Sequence, residues 1–68
     1  MGQITTERHE KILVITMDRP ERKNALTQAM YEGLNQAFDA FSSDSQLRVA
    51  LIRGAGQCFT AGNDLQDF

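Results

Sequence analysis

Two short and almost wholly apolar runs, Ile12-Leu13-Val14-Ile15-Thr16-Met17 and Val49-Ala50-Leu51-Ile52, constrain this chain more than any other feature. Both are β-prone along their length rather than alternating, which is the pattern of a strand covered on both faces. One amphipathic segment lies between them. Thr27 suits an N-cap. Met30, Leu34, Ala37, Phe38 and Phe41 then fall on one helical face, while Glu32, Gln36, Asp39 and Ala40 take the other sides. Ser42 to Ser45 should end the helix in a turn rather than a linker. A strand, a helix and a strand in that order predict a parallel pair joined by a right-handed crossover, so the fold class is α/β.

Upstream, Ile4 to Glu7 is rich in Thr and reads as an edge strand. His9-Glu10-Lys11 should turn it back onto Ile12–Met17 as a hairpin. Asp18-Arg19-Pro20 breaks the second strand, because Pro20 has no ladder donor and biases Arg19 towards extended backbone. Glu21 to Lys23 is charged and should be exposed. Gly33 inside the helix costs up to about 1 kcal/mol against Ala, so it predicts a close packing contact.

The layout carries a deficit. Two apolar strands need cover on both faces, and one helix covers only one. At 68 residues the chain is at most one small domain, and such a chain buries only about 60% of its unfolded surface. The expectation is a fragment of a larger domain, or a chain that buries its second sheet face against a partner.

Several function classes are excluded. A net charge of −2 gives no electrostatic case for nucleic acid or an anionic membrane. No apolar run approaches the roughly 18 residues that span a bilayer. The first residues lack a basic region followed by an apolar run, so no secretory signal is expected. Met1-Gly2-Gln3-Ile4-Thr5-Thr6 fits the short myristoylation pattern, but no basic cluster follows to supply a second membrane signal. A single cysteine excludes an internal disulfide framework and fits a reducing compartment, so a cytoplasmic location is expected.

The last fifteen residues, Gly54 to Phe68, hold the most suggestive chemistry. Three glycines free the backbone to turn, and Asn63-Asp64 sits where a helix could begin. Such a loop can present main-chain N–H groups to a ligand oxygen. A dinucleotide-binding fingerprint would need glycine at Phe59, and no Gly-Lys-Ser/Thr follows for a phosphate-binding P-loop. Cys58 is expected to be a buried, inert thiol, since the only histidine, His9, belongs to the hairpin turn. The acidic residues are scattered and no His/Cys cluster exists, so no metal site is expected. Asp64 could act as a general base, but capping a helix that starts near Leu65 is the better reading. Asp67 would then sit in that helix's first turn. Arg19, Arg22 and Lys23 form a basic patch; beside a glycine-rich loop it suggests a phosphate contact.

Two segments together resemble a known family. Arg19-Pro20-Glu21-Arg22-Lys23-Asn24-Ala25-Leu26 and Gly54-Ala55-Gly56-Gln57-Cys58-Phe59-Thr60-Ala61-Gly62-Asn63-Asp64-Leu65 match, in order and spacing, the opening of the enoyl-CoA hydratase/isomerase (crotonase) family. The resemblance covers essentially all of residues 1–68 and implies the N-terminal part of a single crotonase-like domain. That fold is a spiral of β-β-α units: hairpin, long helix, parallel strand, loop into a helix start. Full-length members usually assemble as homotrimers or pairs of trimers.

The resemblance also implies chemistry. The substrate is an acyl-CoA thioester, coenzyme A arrives as part of it, and no separate cofactor is needed. The backbone N–H of Asn63 would be one of two oxyanion donors to the thioester oxygen, where a fixed donor is worth about 3 kcal/mol. Ala61, Gly62, Asp64 and Leu65 would hold the adenine and pantetheine portions. Arg22, Lys23 and Ala25 lie where the family's R-P loop approaches CoA. Gln66 stands where members often carry lysine, which weakens a phosphate contact there. The second donor and the catalytic carboxylates belong further along the family's chain, so residues 1–68 alone should be inactive and do not separate hydratase from isomerase. Gly62-Asn63-Asp64-Leu65 leans towards isomerase. The alternatives are a non-catalytic CoA-binding or assembly module that docks through exposed sheet, and a small α/β domain whose motif match is accidental.

Overall fold

The middle strand of a three-stranded sheet is β2 (Ile12–Asp18), flanked by β1 (Gln3–His9) and β3 (Val49–Gly54) in the computed structural model, which describes residues 2–68. β1 pairs antiparallel with β2, from Gln3 opposite Asp18 to His9 opposite Ile12. The hairpin turns on Glu10-Lys11, with Glu10 at φ 56°. β1 is longer than its Thr-rich stretch suggests, because its edge position tolerates Arg8 and His9. β2 and β3 are parallel, from Ile12 opposite Val49 to Met17 opposite Gly54, which is the pairing expected of a strand, helix and strand in succession.

The crossover is α1 (Gln28–Ser43), and Thr27 caps it as expected, its hydroxyl accepting the Met30 N–H at 3.1 Å. α1 lies on one sheet face. Leu13, Ile15 and Ala37 form one core cluster, and Met17, Leu26 and Met30 a second; Ile4, Leu34 and Ile52 bridge the two. Gly33 makes the predicted close contact. A Cβ there would sit 2.9 Å from the Ile4 side chain, so only glycine lets the helix settle this near β1. Phe38 departs from expectation and stays 39% exposed. At about 100° per residue it lies on the flank of the apolar stripe rather than its centre.

The other sheet face carries the predicted deficit. Ile12, Val14, Val49 and Leu51 point there by strand alternation. Val14 is buried between its neighbours, yet Val49 and Leu51 are each 51% exposed. An ion pair from Arg8 to Asp44 at 2.6 Å ties the hairpin to the end of α1. No helix among the described residues is long and apolar enough to cross a membrane.

Candidate functional site

Parallel strands send their C-terminal ends to the same edge, and ligands of open α/β sheets gather beyond those ends. β2 and β3 finish side by side there, at Met17 and Gly54. β2 runs into the Arg19–Leu26 loop and β3 into the Ala55–Phe68 loop. Their backbones and side chains interlock.

Asn24 is the pin. It is fully buried and left-handed, at φ 57°. Its Oδ1 accepts the Arg19 N–H at 2.8 Å, and its Nδ2 donates to the carbonyls of Ala55 and Cys58 at 2.9 and 2.6 Å. The Thr60 hydroxyl donates to the Asn24 carbonyl at 2.7 Å and accepts the Gly62 N–H at 3.1 Å. Pro20–Arg22 forms a short 3₁₀ turn, closed by the left-handed Lys23.

The loops then join as a parallel bridge between Leu26 and Asn63. The Leu26 N–H donates to the Gly62 carbonyl at 2.8 Å, and the Asp64 N–H donates to the Leu26 carbonyl at 2.9 Å. The Gly62 carbonyl and the Asn63 N–H share one planar peptide and point in opposite directions. Bonding that carbonyl to Leu26 therefore aims the Asn63 N–H away from Leu26, and it has no protein acceptor among the described residues. Gly62 reaches this geometry at φ 90°, a region that glycine occupies without strain.

A second tie runs from Arg19, whose Nη1 donates to the Ala25 carbonyl at 3.1 Å and to the buried Asp64 carboxylate at 2.8 Å. Asp64 also accepts the Gln66 N–H at 3.0 Å. The Arg19 hydrogen bond, then the Gln66 amide and the charges of Arg19 and Arg22, hold Asp64 below the usual carboxylate range. Asp64 is thus a paired anion and a local cap, not a free base. Beyond it Leu65–Asp67 form one turn, closed by the Asp67 N–H onto the Asp64 carbonyl at 3.0 Å. The Asp67 carboxylate accepts the Gln28 N–H at 2.6 Å, at the positive end of α1. No group of three or more metal-ligating side chains is gathered among the described residues.

With this geometry in place, residues 7–68 match the family model described as enoyl-CoA hydratase/isomerase. The chain belongs to the enoyl-CoA hydratase/isomerase family. It is 37% identical over 62 residues to the mitochondrial Delta(3,5)-Delta(2,4)-dienoyl-CoA isomerase of Mus musculus, covering 91% of this chain and 19% of that one. It is 40% identical over 60 residues to an enoyl-CoA hydratase of Mycobacterium tuberculosis, covering 88% and 23%. The crystal structure of an enoyl-CoA hydratase from Mycobacterium tuberculosis superposes with a TM-score of 0.93 at 42% identity, over 96% of this chain and 26% of that one. The α/β fold expected from the sequence is therefore the fold of this family. The chain spans about a fifth of the length of the curated relatives it matches.

The bridge gathers Ala25, Gly62, Asn63 and Asp64 at one edge of this enoyl-CoA hydratase/isomerase family chain, with Ala61 exposed beside them. Leu65 points outward, 85% exposed. Arg22 and Lys23 are exposed on the neighbouring turn. Lys23 faces a cleft of about 440 Å³ that it lines with Pro20, Ala55, Gln57 and Cys58.

Two expectations need correction. Arg19 is not part of an exposed basic patch, because its guanidinium is turned inward onto Asp64. Cys58 is half-buried on an open cleft rather than sealed in a core, since its loop lies beyond the sheet. His9 lies at the far end of the strands, opposite Ile12, so the strand length separates it from Cys58. Sequence reasoning gave no role to Asn24 or Tyr31. Asn24 carried a signal, since it stands in the Arg19–Leu26 motif. Tyr31 carried none.

Proposed function

We propose that residues 1–68 supply one oxyanion donor and part of the coenzyme A contact surface of an enzyme that hydrates or isomerises enoyl-CoA thioesters. The observation that carries this reading is the Asn63 N–H, aimed away from its neighbours by the Leu26 bridge and without a protein acceptor among the described residues. Negative charge grows on the thioester oxygen as an enolate-like state forms. A donor already fixed in place stabilises that charge without reorganising. Ala61, Gly62, Asp64 and Leu65 surround the donor in sequence, and Ala25 precedes its bridge partner Leu26; all five are assigned to CoA, with Arg22 and Lys23 offered to its phosphates.

The second donor and the reacting carboxylates come from outside these residues. Isolated residues 1–68 are therefore expected to give no turnover. The active form is a homotrimer or a pair of trimers. The test is calorimetric titration of the complete gene product with acetoacetyl-CoA, together with turnover of a trans-2-enoyl-CoA. Saturable binding and turnover support the reading, and absence of both sinks it.

One observation favours a second reading. Val49 and Leu51 are half exposed on a sheet face with no cover among the described residues. An assembly role through that face predicts concentration-dependent association of residues 1–68 by sedimentation. A strictly monomeric, folded chain counts against it.

A further inference from the structure

The Asn63 donor is held from two sides, and only one of them is backbone. On the first, the Leu26 N–H fixes the carbonyl end of the Gly62–Asn63 peptide. On the second, the Tyr31 hydroxyl donates to Asn63 Oδ1 at 2.5 Å. That bond anchors the Cα of Asn63, the other end of the plane that carries the donor N–H. Without it Asn63 is held through backbone bonds alone, the Gly62 carbonyl to the Leu26 N–H and the Asp64 N–H to the Leu26 carbonyl, next to a glycine whose backbone is free to follow.

Tyr31 is itself well held. It sits in the first turn of α1, three residues after Gln28. Gln28 grips Asp67 twice, through its N–H to the carboxylate and its Nε2 to the carbonyl, both at 2.6 Å. The Tyr31 ring packs edge-on against Phe68, with centroids 6.0 Å apart and an 81° angle between planes. The first turn of α1 thus clamps the far side of the loop from Asn63 to Phe68, with Tyr31 as the tooth that reaches the donor residue.

We propose that Tyr31 is a positioning residue for the oxyanion donor, holding the Asn63 N–H at its working angle through the Asn63 side chain. This rests on the proposed function above. It assigns the Asn63 side chain a role as a handle, separate from the donor, which is main chain.

Tyr31→Phe tests this cleanly, because it keeps the ring against Phe68 and removes only the hydroxyl. Asn63→Ala removes the handle and keeps the N–H. In the complete gene product, with a trans-2-enoyl-CoA as substrate, each variant should lower kcat about tenfold with KM within about twofold, the signature of a displaced transition-state contact. The double variant should lose no more than either single one, because both changes break the same link. Thermal unfolding should match wild type in Tyr31→Phe, and hydrogen exchange at the Asn63 amide should quicken. Unchanged kcat, a rise in KM alone, or losses that multiply in the double variant would overturn the role of Tyr31 while leaving the proposed function standing. A wild-type product that neither binds nor turns over CoA thioesters removes the proposed function, and this role with it.

Discussion

Arg19 and Asp64 are 45 residues apart in sequence and meet at 2.8 Å, both largely removed from solvent. The pair closes the Arg19–Leu26 loop onto the Ala55–Phe68 loop just beside the Asn63 N–H. Asp64 titrates below the usual carboxylate value of about 3.9. A depressed folded-state value stabilises the fold above the unfolded value, and that stability is lost as pH falls through the folded value. Urea unfolding of the wild type and Asp64→Asn at a series of pH values should therefore differ fully above about pH 3.9 and converge below it. Parallel profiles at every pH would mean that the pair does not contribute in this way. Asp44 is also held low, by the Gln46 amide and by Arg8, so Asp64→Asn should retain some acid sensitivity.

Asn24 is a stringent site for substitution. It is fully buried, and its side chain satisfies one N–H and two carbonyls. Asn24→Ala leaves all three without a partner and places alanine in the left-handed region. The expected cost is about 3 kcal/mol, since each buried unsatisfied group costs about 1–3 kcal/mol. Asn24→Asp should be at least as damaging, because a carboxylate would face the carbonyls of Ala55 and Cys58 where an NH₂ now donates. Urea midpoints for the two variants check the order, and an Asp variant near wild type would contradict the donor assignment.

The parts of the fold that were legible in sequence rest on local periodicity. The apolar runs specified β2 and β3, the stripe from Met30 to Phe41 specified α1, and Thr27 and Gly33 carried their own signals for a cap and a close approach. Family motifs singled out the two loops that interlock at the sheet edge. Its internal wiring was not legible. Asn24 bonds to residues 31 and 34 positions away, and Tyr31 to one 32 away. Such pairs depend on where two loops end after the sheet has formed, and no periodic pattern records that. Arg19 shows the consequence: among neighbouring cations it looks like a surface charge, and only the arrival of Asp64 turns it inward.

Gly54 ends β3 where the following loop folds back over it. A Cβ at that position would lie 2.3 Å from the Phe59 carbonyl oxygen, 2.4 Å from that of Cys58 and 2.7 Å from Asn24 Nδ2. Two of the three obstacles are backbone, so they do not swing aside as a flexible side chain would. Gly54→Ala should therefore cost about 3 kcal/mol, the upper end of the usual overpacking range. Because Asn24 holds one of these carbonyls, that of Cys58, and its own Nδ2 is the third obstacle, Gly54→Ala and Asn24→Ala should be less than additive in urea unfolding. Full additivity would show that the two residues act on the loop independently.

The half-exposed Val49 and Leu51 provide the last prediction. They lie on the sheet face away from α1, in register with Ile12 and Val14, so the four side chains form one apolar strip. Contiguous exposed strips of this kind promote association. Val49→Thr with Leu51→Thr places β-branched side chains at both positions, which suits a strand. The double substitution removes apolar surface that is already half in water, so it should change the stability of residues 1–68 by no more than about 1 kcal/mol. Its main effect should appear in sedimentation, as loss of concentration-dependent association. If instead the double variant unfolds several kcal/mol more easily, the strip is covered within the folded chain itself and the assembly reading fails.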